Sequence, residues 1–121
     1  MAITYTFRVN DDLLIVEASG FDEGLSDVMA YGDAVIEAAN ASSVTRVLCD
    51  ERNLEYRLDT VDTYKSAEYI AEHAPRIARI AIVTALEQSE EIDFWETVMV
   101  NRGMTIRVFT NLEDARTWLA R

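Results

Sequence analysis

The sequence predicts an α/β fold in the order β-β-α-β-α-β-α-β-α, with a five-stranded, mostly parallel sheet and an antiparallel first strand. Two strand-like segments joined by a short polar turn open the chain, and apolar residues at helical spacing then alternate with short apolar strands. Such alternation requires right-handed crossovers between parallel strands. Arg8, Arg46 and Arg107 lie inside predicted strands, so part of one sheet face must meet water or pair charges. We therefore expect the helices mainly on the other face.

The N-terminal segment predicts a β-hairpin. Apolar residues at positions 3, 5, 7 and 9 alternate with polar ones, which is the period of a half-buried strand. Asn10, Asp11 and Asp12 favour a turn because their side chains tolerate positive φ. Residues 13–18 then form the second strand, antiparallel to the first.

The next segments predict a helix over residues 24–40 and a third strand over residues 46–51. Gly32 lies in the middle of that helix and costs about 1 kcal/mol relative to alanine, so a close crossing with another element is expected there. Val47 and Cys49 share one face of the third strand. Residues 51–59 are polar and are predicted to be irregular.

The second half of the chain alternates helices and strands. A helix over residues 60–74 begins at an N-cap provided by Asp59 or Thr60 and ends before Pro75. Gly103 suits the left-handed position after a third helix. Thr110 and Glu113 match a capping box for the last helix, which ends near residue 120. The remaining predictions are a strand over residues 77–85, a helix over residues 88–102 and a strand over residues 104–109.

Composition and charge limit the classes of function. The 121 residues are 50% hydrophobic, which excludes a disordered acidic tail and predicts a single domain over residues 1–121. With 22 acidic and 11 basic residues the net charge is −11, which argues against nucleic acid and anionic membranes as partners. The lone Cys49 excludes an internal disulfide, and neither a signal peptide nor a membrane span is apparent. We expect a cytoplasmic protein.

No set of residues predicts an enzyme, a metal site or a cofactor. The single histidine, His73, has no recognisable partner, and Cys49 is expected to be a buried apolar side chain rather than a nucleophile. Trp95 and Trp118 are expected in the core. An acidic cluster at the start of the third helix is expected to be solvated, because its spacing fits no metal motif: Glu87, Glu90, Glu91, Asp93 and Glu96.

One polar segment, residues 50–57, is the candidate interaction loop. It leaves the carboxyl end of a central strand, where open α/β sheets place their ligands. It mixes both signs of charge with one aromatic residue, so it is either a partner or ligand surface or a set of local surface salt bridges. The candidate contact residues are Asp50, Arg52, Asn53, Tyr56 and Arg57.

The order of elements and the last third of the chain resemble the STAS-like, or SpoIIAA-like, domain family. Small bacterial members often end in a helix, a glycine turn, a strand reaching phenylalanine and an acidic helix with alanine and Trp-Leu. The matching stretches here are residues 101–109, NRGMTIRVF, and residues 113–119, EDARTWL. The resemblance covers nearly the whole chain and implies a non-enzymatic regulatory or binding module.

The same resemblance implies one candidate modification site and leaves two functions open. Well-known members carry Asp-Ser-Ser-Gly where the second helix begins, and a partner kinase phosphorylates the second serine. Here the stretch is Asp59-Thr60-Val61-Asp62, with Val61 where the phosphorylated serine would be, so that either Thr60 is modified instead or it has an ordinary capping role. The first function is protein interaction, with a homodimer if aromatic residues such as Tyr5 lie near an exposed edge. The alternative is a small ligand, a lipid or a nucleotide, held between helices.

Overall fold

The computed structural model describes residues 3–74, 77–85 and 89–121, without the side chains of Ser89 and Glu91. Within these ranges the order of elements is the predicted one. The strands are β1 (Ile3–Asn10), β2 (Leu13–Phe21), β3 (Arg46–Glu55), β4 (Arg79–Thr84) and β5 (Ile106–Phe109). The helices are α1 (Leu25–Ser42), α2 (Thr60–His73), α3 (Ser89–Asn101) and α4 (Leu112–Leu119).

The five strands form one sheet in the order β1-β2-β3-β4-β5. Only the β1–β2 pair is antiparallel, and the other three pairs are parallel. The turn between β1 and β2 holds Asp11 at a φ of 54°, which confirms the predicted Asn-Asp-Asp hairpin turn. The predicted fold class is confirmed.

The helices divide unequally between the two faces of the sheet. Helices α1, α2 and α3 pack with Val47, Cys49 and Ile82 in the larger core. Among the described helices only α4 covers the opposite face, where Ala115, Trp118 and Leu119 pack on Leu48, Ala81 and Val83. Because α4 contacts β3, β4 and β5, the opposite face of β1 and β2 stays open, and polar side chains such as Thr6 and Glu17 are exposed there.

Gly32 lies where α1 crosses α2, as predicted. A β-carbon built on Gly32 would stand 2.0 Å from Cδ1 of Ile70, a buried side chain of α2. The glycine therefore permits an approach between the two helices that any larger residue would obstruct.

Two local predictions are wrong. Strand β3 continues to Glu55, whereas the sequence suggested an irregular segment after Glu51, because residues 53–55 pair with β2. The N-cap of α4 is Asn111, whose side chain accepts a hydrogen bond from the Asp114 amide at 3.1 Å, rather than Thr110. At α2 the cap is Asp59, which accepts from the Asp62 amide at 2.8 Å. The helix stop predicted at Pro75 lies outside the described residues.

Candidate functional site

A buried glutamate, Glu51, occupies the helix-covered face of the sheet. Its side chain is 1% exposed and receives two phenol hydroxyls from different parts of the fold. Tyr31 of α1 donates to Oε2 at 2.8 Å, and Tyr56, which follows β3, donates to Oε1 at 2.8 Å. Each carboxyl oxygen thus has one donor, and the three side chains form what we call the Glu51 network.

The environment of Glu51 favours its uncharged form. Burial raises the pKa of this carboxyl from 4.5 to about 7, although the hydrogen bonds from Tyr31 and Tyr56 lower it in part. The same burial raises the pKa of both tyrosines and of Cys49 well above their ordinary values. Near neutral pH, Glu51 is therefore the group in this network whose charge changes.

Two small cavities adjoin the Glu51 network. One, of about 50 Å³, lies under α1 and α2, and the other, of about 20 Å³, lies towards α3. Both are lined by Glu51, Tyr56, Ile82 and Trp95. Their other walls are mostly aliphatic, and no arginine, lysine or histidine is among the described residues that line them.

The smaller cavity leads towards the surface. It shares Leu58 and Thr63 with an open groove of about 570 Å³ at the N-terminal ends of α2 and α3. The groove is also lined by Asp59, Thr60 and Phe94. This end of the sheet is the carboxyl end of the parallel strands, where α/β folds commonly bind ligands.

An irregularity in β3 sets the direction of these side chains. The pairing of β2 with β3 shifts between Glu17–Asp50 and Ser19–Asn53, which leaves one extra residue in β3. After this bulge Leu54, rather than Asn53, joins the helix-covered core. The bulge therefore lets β3 keep apolar contacts beyond Glu51 while its polar residues stay on the open face.

A second buried carboxyl, Asp22, lies between β2 and α1. It is 2% exposed, and its Oδ1 accepts from the Arg57 amide at 2.6 Å. Burial raises its pKa. Its Oδ2 has no hydrogen-bond partner within the described part of the chain. The same is true of the hydroxyl of Thr84, the residue of β4 that pairs with Glu51 of β3.

The residues of the predicted interaction loop do not form one surface. Asp50 and Arg52 pair at 2.7 Å, which lowers the pKa of Asp50, and Asn53 lies with Asp50 in an open depression of about 310 Å³. Tyr56 instead points inward to Glu51. Arg57 lies over the Phe21 ring at 3.9 Å and pairs with Glu55. The role of Asp50, Arg52 and Asn53 in partner binding stays a prediction.

The other singled-out residues show no catalytic arrangement among the described residues. Cys49 is buried with a raised pKa, the opposite of an activated thiol. His73 is exposed, and its ring stacks on Tyr69 with 4.1 Å between centroids. Thr60 is exposed at the first turn of α2 between Asp59 and Asp62, whose charges would repel a phosphate, and its modification stays a prediction.

The acidic cluster of α3 and the two tryptophans have different surroundings. Glu96 accepts from the Val108 amide at 2.6 Å, while Glu87 and the side chain of Glu91 lie outside the described residues. No group of three potential metal ligands is present in the described ranges. Trp118 is buried as predicted, whereas Trp95 is half-buried and lines the cavities beside Glu51.

Exposed apolar side chains gather on the outer side of two helices. On α2, Val61 is 60% exposed and Tyr64 is 38% exposed. On α3, Phe94 is 40% exposed and Val100 is 49% exposed. Arg102 donates to both the Tyr64 hydroxyl and Glu68 at 2.6 Å, which joins the end of α3 to α2. We call these four apolar residues and the adjoining groove the α2–α3 surface.

Comparisons with known proteins identify the fold and the family. An anti-sigma factor antagonist from Mycobacterium paratuberculosis matches with a TM-score of 0.69 and 19% identity, over 98% of this chain and 95% of its own. A protein with a SpoIIAA-like fold from Shewanella loihica PV-4 matches with a TM-score of 0.59 and 22% identity, over 98% of this chain and 94% of its own.

No protein of curated function matches the sequence, and no helix in the described ranges is long and apolar enough to span a membrane. The SpoIIAA-like family model matches residues 8–120. That match covers most of the sequence and includes β3, the Glu51 network and the α2–α3 surface. The chain belongs to the SpoIIAA-like family.

Proposed function

We propose that this protein is a non-enzymatic regulatory module that binds a protein partner through the α2–α3 surface. The observation that carries the proposal is the exposure of four large apolar side chains on α2 and α3, two helices in contact: Val61, Tyr64, Phe94 and Val100. Large apolar side chains that are exposed among polar groups are typical of interaction sites. The neighbour from Mycobacterium paratuberculosis, described as an anti-sigma factor antagonist, supports a regulatory role of this kind.

Charge at this surface indicates the kind of partner. The two helices carry acidic side chains around the apolar residues, against only Lys65 and Arg102 as described cations nearby. The acidic residues are Asp59, Asp62, Glu68, Glu90 and Asp93. A complementary protein would present apolar side chains with arginine or lysine at the rim. This is consistent with the net charge of −11.

A paired variant tests this proposal. The chain is immobilised, partners are captured from source cells, and binding of the identified partner is measured with purified proteins. Val61→Asp combined with Phe94→Asp should weaken binding by at least about tenfold, because apolar anchors at interface centres dominate affinity. Val9→Asp is the control, since Val9 is also an exposed valine, 49% against 60% for Val61, and lies on the distant β1.

A third variant tests the alternative surface on the open sheet face. Arg52→Glu reverses a charge beside Asp50 and should leave partner binding unchanged. Loss of binding in Arg52→Glu with retention in the Val61/Phe94 variant would reject the α2–α3 surface in favour of the loop. A homodimer also stays a prediction: Tyr5 packs on Tyr31 with 5.4 Å between centroids, and light scattering on the eluted protein would detect the dimer.

A second candidate function, binding of a small ligand, is favoured by the cavities beside Glu51. They are mostly apolar and hold a few convergent polar groups, which is the usual character of ligand sites. The general test is a change in Trp95 fluorescence on titration with lipids, nucleotides and small organic probes, because Trp95 lines both cavities.

A further inference from the structure

We propose that the cavity beside Glu51 binds a small protonated amine, whose ammonium group pairs with the Glu51 carboxylate. This inference rests on the second candidate function, ligand binding, and names the chemical class of the ligand.

The first argument is the unpaired charge of Glu51. Buried carboxylates are normally paired with a cation, because an isolated charge in an apolar interior is costly. None of the described residues that line the two cavities is cationic. The tyrosine hydroxyls donate one hydrogen bond to each oxygen, and a carboxylate can accept about four. Among the described lining residues the site therefore lacks a positive charge, and the Glu51 carboxylate has unused acceptor positions.

The second argument is the shape and composition of the walls. A cavity of about 50 Å³ has room for an ammonium head and the first carbons of a chain, since one water needs only about 10–15 Å³. Val35, Ile70 and Ile82 would surround the alkyl part. The Trp95 ring lines both cavities, and aromatic faces attract ammonium groups.

The third argument is access. The smaller cavity shares Leu58 and Thr63 with the open groove at the N-terminal ends of α2 and α3. A ligand longer than the inner cavity can thus keep its head beside Glu51 and extend its remaining part into the groove. The acidic groove residues Asp59 and Glu90 also favour the approach of a cation over that of an anion.

Three probes of similar shape and different charge test the inference: butylammonium, butan-1-ol and butyrate. Each is titrated into the full chain at pH 8, and binding is followed by Trp95 fluorescence and by amide shifts around Glu51. A Trp118→Phe background removes the other tryptophan, which lies in the opposite core. Butylammonium should bind at least about tenfold more tightly than butan-1-ol, as expected for a hydrogen bond to a charged group. Butyrate should be the weakest.

Charge at Glu51 is then varied at constant shape. The Glu51→Gln variant should lose the preference for butylammonium over butan-1-ol. It should still bind butan-1-ol, and that binding would show that its cavity is correctly folded. Glu55→Gln, an exposed carboxyl of the same strand, should behave like the parent chain. The preference should also decline from pH 8 to pH 5.5, where Glu51 is protonated and the amine is still charged.

The change with pH is compared with that of Glu51→Gln, because the buried Asp22 carboxyl, whose pKa is raised by burial and whose charge acts on Tyr56, is common to both chains. Tyr31 of α1, Cys49 of β3 and Tyr56 all have pKa values raised well above neutrality. Asp50, on the opposite face of β3, has a lowered pKa. The described cavity residues of α2 and α3 are Thr63, Ser66, Ile70, Ile92 and Trp95, and none of these side chains is ionisable.

The outcomes separate this inference from the function on which it rests. Equal affinity for butylammonium and butan-1-ol at pH 8, or an unchanged preference in Glu51→Gln, rejects the amine while ligand binding stands. Tighter binding of butyrate or of a nucleotide also rejects it, because either would require a cation in the site. No binding by any of the three probes rejects the amine, and the small-ligand function is rejected as well when lipids and nucleotides also fail to change Trp95 fluorescence.

Discussion

Glu51→Gln should change how the stability of the protein depends on pH. Glutamine has nearly the same shape as glutamate but never carries a charge. Its amide oxygen can accept from one tyrosine hydroxyl, and its amide nitrogen can donate to the oxygen of the other, so the contacts with Tyr31 and Tyr56 are retained. The substitution therefore removes the titration of Glu51 with little change in packing.

The magnitude follows from the difference in pKa between the unfolded and folded states. An unfolded chain releases the Glu51 proton near pH 4.5, whereas the folded protein holds it until about pH 7. Between these values the folded state binds more protons, so its stability falls as pH rises. A difference of about 2.5 units corresponds to about 3 kcal/mol. This loss is complete above pH 7 and absent below pH 4.5.

The assay is urea unfolding at pH 5, 6, 7 and 8 at constant ionic strength, followed by circular dichroism. Relative to its value at pH 5, where a small part of the loss has already occurred, the stability difference between Glu51→Gln and the parent should grow by about 2.5 kcal/mol at pH 8, in favour of the variant. Asp12, Asp22 and Asp50 also have shifted pKa values, but they are common to both proteins and cancel in the difference. Parallel stability curves for the two proteins would refute the reasoning, and Glu55→Gln serves as the control.

Three further substitutions test the packing, the caps and the Glu51 network. Gly32→Ala should lower the free energy of unfolding by about 1–2 kcal/mol, because the added β-carbon collides with Ile70. In an Ile70→Val background, which removes the colliding methyl group, the same substitution should be neutral or stabilising. Additive effects of the two substitutions in urea unfolding would contradict the steric explanation. Asn111→Ala should cost about 1 kcal/mol and Thr110→Ala almost nothing, and the reverse order in thermal unfolding would restore the capping box predicted from sequence. Tyr31→Phe should lower the free energy of unfolding by about 1–3 kcal/mol at pH 8 and by less at pH 5, because the lost hydrogen bond matters most to the ionised carboxylate. A cost that does not change with pH would show that Tyr31 does not stabilise the charge of Glu51.

The order of strands and helices was predictable because each element has a strong apolar period. Residues 3–9 alternate clearly, and the glycines at positions 32 and 103 mark a helix crossing and a helix end. The end of β3 was not predictable in this way. Residues 52–55 are polar in sequence apart from Leu54, and the pairing of residues 53–55 with β2 beyond the bulge makes them part of the strand. Tertiary pairing therefore outweighs local composition at this point.

The candidate site was visible in the sequence only in part. Glu51 continues the period of Val47 and Cys49, so an extended strand would have placed it on the same buried face. Tyr56 was singled out, but as a surface residue, because nothing local reveals that its hydroxyl meets Glu51. Tyr31 lies 20 residues before Glu51 on the apolar side of α1, and no spacing rule connects the two. Such a network depends on tertiary packing.

Replacement of the whole Glu51 network by apolar residues tests whether stability alone explains these side chains. Removal of every partner from a buried polar network, rather than one, is often neutral or stabilising. Tyr31→Phe, Glu51→Leu and Tyr56→Phe together should therefore give a folded chain at least as stable as the parent at pH 8, where the carboxylate costs most. The same triple variant should lose its preference for butylammonium. If it is instead several kcal/mol less stable at pH 8, the network supports the fold, and the charge of Glu51 needs no ligand to account for it.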